Sequence, residues 1–144
     1  MSKIRKYDNR NKKLGYAKNL KMNDDTYTLR RLVMDVIYEA KKVVDLPRID
    51  VRITEAHKGS HSNILGLAYL NANVIYIPSN LIENGQLKSY FKEVVLHEIL
   101  HAVLGVEHDE KCPLMSASIG RKPMTDKAMY KAFSKYFNAV PCLV

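Results

Sequence analysis

The most constraining feature of this 144-residue chain is a long apolar stretch between residues 86 and 104. Its apolar side chains recur on nearly all sides of a helical axis, and this pattern predicts a helix that is buried at the centre of a domain. They are Phe91, Val94, Val95, Leu96, Ile99, Leu100, Ala102, Val103 and Leu104. Gly105 follows and predicts the end of the helix, because glycine readily adopts the left-handed conformation found there.

Two more helices are predicted, one on each side of the central helix along the chain. Apolar residues between Leu29 and Val44 recur at three- and four-residue steps, after the candidate helix caps Asp24 and Asp25. This spacing predicts an amphipathic helix that packs on a core. Thr125 can cap a last helix, whose apolar face lies between residues 129 and 137.

Three short segments predict a small sheet. Residues 49–53 alternate between apolar and polar side chains, which is typical of a half-buried strand. The apolar runs 65–70 and 74–77 are separated by Asn71-Ala72-Asn73 and predict two strands joined by a tight turn. Residues 78–85 are expected to be a connection. The predicted fold class is α+β, with a small mixed sheet packed against the buried helix and further helices towards both termini.

The positive charge of the chain is concentrated in an N-terminal arm. Residues 1–21 contain eight basic side chains and one acidic side chain, which gives +7 of the net charge of +8. We expect residues 1–22 to be a flexible basic arm and residues 23–144 to form a single domain. Such an arm is either a solvated tail or a segment that binds nucleic acid or an acidic partner by releasing counterions.

Membrane and export signals are missing from the sequence as given. No apolar run approaches the ~20 residues of a membrane span, and residues 1–13 are polar where a signal peptide has an apolar core. The two cysteines, Cys112 and Cys142, are too few for a disulfide framework and are expected to be reduced. We therefore expect an intracellular protein that does not bind membranes.

The predicted apolar helix contains the segment His97-Glu98-Ile99-Leu100-His101, in which three residues are polar. Positions four apart on a helix differ by only about 40° in direction, so the two histidines project together. Two neutral imidazoles placed in this way can bind one zinc ion, and Glu98 beside them can accept a proton from a zinc-bound water. The alternative is a pair of core histidines hydrogen-bonded to backbone. A metal is favoured because burying polar groups without partners is costly.

A catalytic zinc site needs a third protein ligand. His108 is the first candidate, because imidazole suits zinc and because Gly105 lets the backbone turn back towards the metal. Glu107 and Asp109 are alternatives, since a carboxylate is also an acceptable zinc ligand, and a residue distant in sequence is a further one.

The segment HEILHAVLGVEHDEKCPLM resembles the catalytic segment of the metzincin clan of zinc endopeptidases, and within that clan the matrixins and adamalysins. The resemblance covers roughly residues 49–118. It implies a metallopeptidase-like domain with a methionine-containing turn beneath the metal, for which Met115 is the candidate. It also implies that Leu67, Ala68 and Tyr69 lie on the edge strand along which an extended substrate binds.

The spacing after the second histidine departs from the clan's pattern, H-E-x-x-H-x-x-G-x-x-H. Three residues, Ala102-Val103-Leu104, precede Gly105 where the clan has two, so the glycine and His108 are each displaced by one position. If the helix simply runs one residue longer, its exit direction rotates by about 100°. In that case the following loop would have to absorb the rotation. Glu107 then occupies the position of the clan's third ligand, whereas Asp109 matches the aspartate that follows the last histidine in adamalysins.

The resemblance implies a zinc-dependent endopeptidase with one zinc ion per chain, bound by His97, His101 and His108. Zinc lowers the pKa of a bound water to about 7, and Glu98 is expected to act as the general base while that water attacks a peptide carbonyl. Two alternatives belong to other classes of protein. One is a zinc-stabilised domain without catalytic activity, and the other is a nucleic-acid-associated protease that uses the basic arm.

Two further features are weaker candidates for metal chemistry. His57 and His61 lie four residues apart in a Gly- and Ser-containing loop, where solvated side chains are the alternative to a second metal site. Cys112 is close in sequence to the predicted metal loop, so a ligating or inhibitory thiolate is a further alternative.

Overall fold

The computed structural model describes residues 24–55, 66–116 and 124–138. Along these residues one helix is followed by five short strands, which form two small sheets, and then by two further helices, which confirms the predicted α+β class. The predicted arm, the loop histidines His57 and His61, and Cys142 lie outside the described residues. A search of the described helices found none that is both long and apolar enough to cross a membrane.

Helix α1 (Asp24–Lys41) confirms the predicted amphipathic helix. It buries one side against the sheet and the central helix, through Leu29, Val33, Val36, Ile37 and Ala40. The apolar periodicity predicts that the helix includes Val43 and Val44, but the helix ends before them, and Val43 is exposed. Two adjacent β-branched residues shortly before Pro47 disfavour a longer helix.

The predicted mixed sheet contains three strands in the order β1-β3-β2. Strands β1 (Asp50–Thr54) and β3 (Val74–Pro78) are parallel, whereas β2 (Leu67–Ala68) pairs with β3 in the antiparallel direction. The predicted strand pair on either side of the Asn71-Ala72-Asn73 turn is therefore confirmed, although β2 is shorter than the apolar run that predicted it.

The prediction that the central helix begins near residue 86, after a plain connection, is wrong. Strands β4 (Ile82–Glu83) and β5 (Gln86–Leu87) form a small hairpin there, and helix α2 (Phe91–Ile99) begins only after it. The turn of the hairpin is Asn84-Gly85, with both residues at positive φ (52° and 76°). An Asn-Gly pair is the sequence signature of such a tight hairpin turn, and it takes the adjacent residues out of the helix.

Helix α2 lies at the centre of the domain, as predicted. Every residue of α2 except Lys92 is buried. Helix α3 (Asp126–Phe137) packs on it and begins at the predicted cap, where the Thr125 hydroxyl accepts a hydrogen bond from the Ala128 amide at 3.1 Å. An ion pair of 2.7 Å between Lys92 and Asp126 also joins the two helices.

Candidate metal centre

The end of the central helix is a π-helical turn, Leu100–Leu104, and not a further α-helical turn. In a π turn the hydrogen bonds span five residues instead of four, so the helix accommodates one additional residue. Gly105 follows in the left-handed conformation (φ 69°), and the Val106 amide donates to the Leu100 carbonyl at 3.2 Å. The extra residue that departs from the metzincin spacing is therefore absorbed inside the helix. The helix does not simply run one α-helical residue longer, so the condition under which the loop would absorb the rotation is not met.

The turn between β2 and β3 caps this π turn. The amides of Asn71 and Asn73 donate to the carbonyls of His101 and Ala102, at 3.2 Å in both cases. Both asparagines have positive φ (59° and 55°), a conformation that asparagine tolerates better than most residues. A Cβ atom at Gly105 would lie 2.7 Å from the side-chain nitrogen of Asn71. Position 105 thus needs glycine both for its backbone conformation and for this close approach.

Three imidazoles converge beside the π turn. One ligand nitrogen from each of His97, His101 and His108 lies within 4.8 Å of the others. The ring centroids form a nearly equilateral triangle with sides of 4.7, 5.0 and 5.2 Å. His97 and His101 are buried, and His108 is half-buried. This arrangement offers a cation three nitrogen ligands from two segments of the chain.

Backbone carbonyls determine which nitrogen of each helical histidine faces the cluster. Nδ1 of His97 lies 2.7 Å from the Leu114 carbonyl oxygen, and Nδ1 of His101 lies 2.5 Å from that of Val106. A carbonyl oxygen can only accept a hydrogen bond, so each Nδ1 carries the proton. In its neutral form each ring therefore presents the lone pair of Nε2 to the other. Such bonds to the second ring nitrogen are typical of metal-ligating histidines.

The spacing of the two Nε2 atoms suits a shared cation. They lie 3.0 Å apart, and two nitrogen ligands of one tetrahedral zinc ion are about 3.3 Å apart. Two lone pairs that face each other at this distance repel unless a proton or a metal ion lies between them. The presence of a third imidazole, His108, favours a metal ion over a proton between them. A shared proton needs only two nitrogens, whereas zinc is bound by three or four ligands.

Glu98 is completely buried next to this cluster. It follows His97 directly and precedes His101 by three residues, so its side chain leaves the helix at the margin of the histidine face. A Cβ atom at Gly66, just before β2, would lie 2.9 Å from both Cγ and Oε2 of Glu98. The absence of a side chain at residue 66 therefore provides the space in which the Glu98 carboxylate lies.

We expect Gly66→Ala to displace Glu98 while the three histidines stay in place. A displacement of about 1 Å can lower a reaction rate about 100-fold. In a catalytic site, turnover should therefore fall by roughly this factor, and any metal bound by the three histidines should be retained. Gly85→Ala is the control, since a Cβ there meets no atom within 4 Å and only its positive φ is strained. Equal activity of the two variants would contradict this role of Gly66.

Neither of the alternative third ligands, Glu107 and Asp109, belongs to the three-histidine group. Glu107 is exposed. One carboxylate oxygen of Asp109 accepts the Lys111 amide at 3.0 Å, and the other accepts the Tyr136 hydroxyl at 3.2 Å. The structure thus brings His108, and neither carboxylate, to the helical histidines.

The segment after His108 folds back beneath His97. Its turn is closed by backbone hydrogen bonds from the Asp109 amide to the Met115 carbonyl (2.8 Å) and from the Met115 amide to the Cys112 carbonyl (3.0 Å). Met115 is completely buried in this turn, and the neighbouring Leu114 provides the carbonyl that His97 binds. The candidate methionine turn therefore contacts the three-histidine group through the backbone carbonyl of Leu114.

Cys112 does not belong to the three-histidine group and is completely buried. It lies beside the hydroxyl of Tyr136. Burial, followed by hydrogen bonding to Cys112 and by the charges of Cys112 and Asp109, raises the pKa of Tyr136. The Tyr136 hydroxyl therefore stays protonated at neutral pH and can donate to the Asp109 carboxylate.

The predicted substrate edge is an outer strand of the sheet, but it is covered. Strand β2 pairs on one side with β3, and Leu67 and Ala68 are only 1% and 0% exposed, while Tyr69 is half-buried. An extended peptide can pair with this strand only after its outer side has been uncovered. The role of these residues in substrate binding remains a prediction.

Gly66 and Tyr136 were not recognised as site residues in the sequence, because neither lies within the metal-binding motif. Comparisons of the chain with protein-family models, curated proteins and solved structures found no match. The arrangement of the three histidines, Glu98 and their hydrogen-bonded neighbours is therefore the basis for any assignment of function.

Proposed function

We propose that this protein binds one zinc ion through His97, His101 and His108 and hydrolyses peptide bonds with Glu98 as the general base. The observation that carries the proposal is the geometry of the imidazoles. Two Nε2 atoms face each other at 3.0 Å while both Nδ1 atoms bind carbonyls, and a third imidazole lies beside them. Three imidazoles with an open fourth position are a recurring ligand set of catalytic zinc.

The donor set supports zinc over harder cations. Imidazole suits zinc and other late transition metals, whereas magnesium and calcium prefer oxygen ligands. A zinc ion supplies Lewis-acid activation of water and of a carbonyl oxygen. The carbonyls of Leu114 and Val106 orient the two helical rings and increase their basicity as ligands.

Glu98 is suited to move the proton in this reaction. Its carboxylate is buried on the margin of the histidine face and is positioned by Gly66. A buried carboxylate at this place can accept the proton of the attacking water and then transfer it to the leaving amine. The metzincin resemblance of the motif supports peptides as the substrate class.

The zinc content of the full chain, purified without added metal or chelator, is the first test. We expect one zinc ion per chain and, after loading, cleavage of peptides from a random library. If the protein contains no zinc and takes none up on titration, His97 and His101 are core histidines and the proposal is wrong.

One observation favours a second candidate function, a zinc-stabilised domain without catalytic activity. Because β2 is covered, the structure offers no open strand to an extended substrate at this edge. That candidate predicts one zinc ion per chain without any peptide cleavage. Binding of nucleic acid or of an acidic partner through residues 1–21 stays a separate prediction from their charge.

A further inference from the structure

A side chain of helix α3 is hydrogen-bonded to the loop that carries the third histidine. The hydroxyl of Tyr136, near the end of α3, donates to Oδ2 of Asp109 at 3.2 Å. Asp109 directly follows His108 in the chain, so this bond acts on the backbone next to the proposed ligand. Tyr136 is 27 residues away in sequence, and the metal-binding motif does not include it.

Asp109 takes part in the hydrogen bonds that hold this loop together. Its amide donates to the Met115 carbonyl at 2.8 Å, and its carbonyl accepts the Cys112 amide at 3.0 Å. Its other carboxylate oxygen, Oδ1, accepts the Lys111 amide at 3.0 Å. The loop is thus internally rigid around Asp109, and the Tyr136 bond holds this rigid unit against α3.

The same loop is connected to two of the three proposed zinc ligands. It begins next to His108, and it contains Leu114, whose carbonyl orients the His97 ring. A shift of the loop relative to the helices therefore moves one proposed ligand and the orienting partner of another. Residues that orient metal ligands from outside typically change metal affinity about 10–100-fold when they are replaced.

We propose that Tyr136 is a positioning residue of the metal centre, which holds the His108 loop in its ligating position through Asp109. The inference rests on the proposed zinc site. It adds that the C-terminal helix, outside the motif, contributes to metal affinity through one hydroxyl group.

The test compares zinc affinity in Tyr136→Phe and Tyr130→Phe, measured on the full chain by competition with a chelator. Both variants remove one hydroxyl from α3. The buried Tyr130 hydroxyl has no hydrogen-bond partner among the described residues, so this variant controls for general effects on the helix. We expect Tyr136→Phe to lower the zinc affinity about 10–100-fold with one zinc ion still bound at saturation. Tyr130→Phe should bind zinc like the unaltered chain.

A double-mutant cycle distinguishes a positioning effect of Tyr136 through Asp109 from a general loss of stability. In an Asp109→Ala background the Asp109 bond is already absent and only the contact of the hydroxyl with Cys112 remains, so Tyr136→Phe should cause a much smaller further loss of zinc affinity than in the unaltered chain. Equal affinity of the two Tyr→Phe variants, or additive losses in the cycle, would overturn the role of Tyr136 while leaving the zinc site intact. If the unaltered chain binds no zinc, the proposed function fails and this inference fails with it.

Discussion

His101→Asn should abolish stoichiometric zinc binding while preserving most of the fold. The asparagine amide can still donate to the Val106 carbonyl, which His101 binds through Nδ1, but asparagine has no counterpart of the ligating Nε2 atom. Removal of a direct ligand should weaken binding by more than the roughly 10–100-fold typical of outer partners. Zinc content and chelator competition measure this loss directly.

Thermal unfolding provides a second measurement for the same variant. A ligand that binds only the folded state at about 100 times its dissociation constant stabilises that state by about 2.7 kcal/mol. Added zinc should therefore raise the melting temperature of the unaltered chain and leave that of His101→Asn unchanged. His57→Ala and His61→Ala are the controls, since these histidines are predicted to be solvated loop residues. Retention of one tightly bound zinc ion in His101→Asn would contradict the assigned ligand set.

Glu98→Gln should retain zinc and lose peptide turnover. Glutamine has nearly the same shape as glutamate, so the packing against Gly66 is kept, but the amide cannot accept the proton of the attacking water. General-base catalysis is typically worth about 100- to 10,000-fold, and turnover should fall by a factor in this range.

The non-catalytic candidate predicts a different result for the same substitution. In a purely structural zinc domain, Glu98→Gln should leave the zinc stoichiometry and the fold unchanged, and the unaltered chain should cleave no peptide. Full peptidase activity in Glu98→Gln would instead show that another group moves the proton. Zinc content must be measured alongside activity, because a loss of metal in the variant would also abolish turnover.

Much of the fold follows from local patterns. The periodic apolar positions of α1, the Thr125 cap of α3 and the alternation in β1 each result from interactions between residues close in sequence. The start of α2 was predicted wrongly because residues 86–90 were included in the apolar stretch, although the Asn84-Gly85 turn places residues 86 and 87 in a hairpin.

The sequence by itself determined the identity and spacing of the candidate ligands on the helix. His97 and His101 project together on any helix, because four residues nearly complete one turn. It left the third ligand open between His108, Glu107 and Asp109, because one extra residue before Gly105 changes the direction in which the chain leaves the helix.

Only the tertiary structure decided how that extra residue is accommodated. A π turn absorbs it, and the carbonyls of that turn accept amides of Asn71 and Asn73 from a hairpin that is distant in sequence. The space for Glu98 likewise depends on Gly66, and Asp109, next to His108, accepts a hydrogen bond from Tyr136 of helix α3. Such contacts depend on the packing of separate elements, and the local sequence pattern does not specify them.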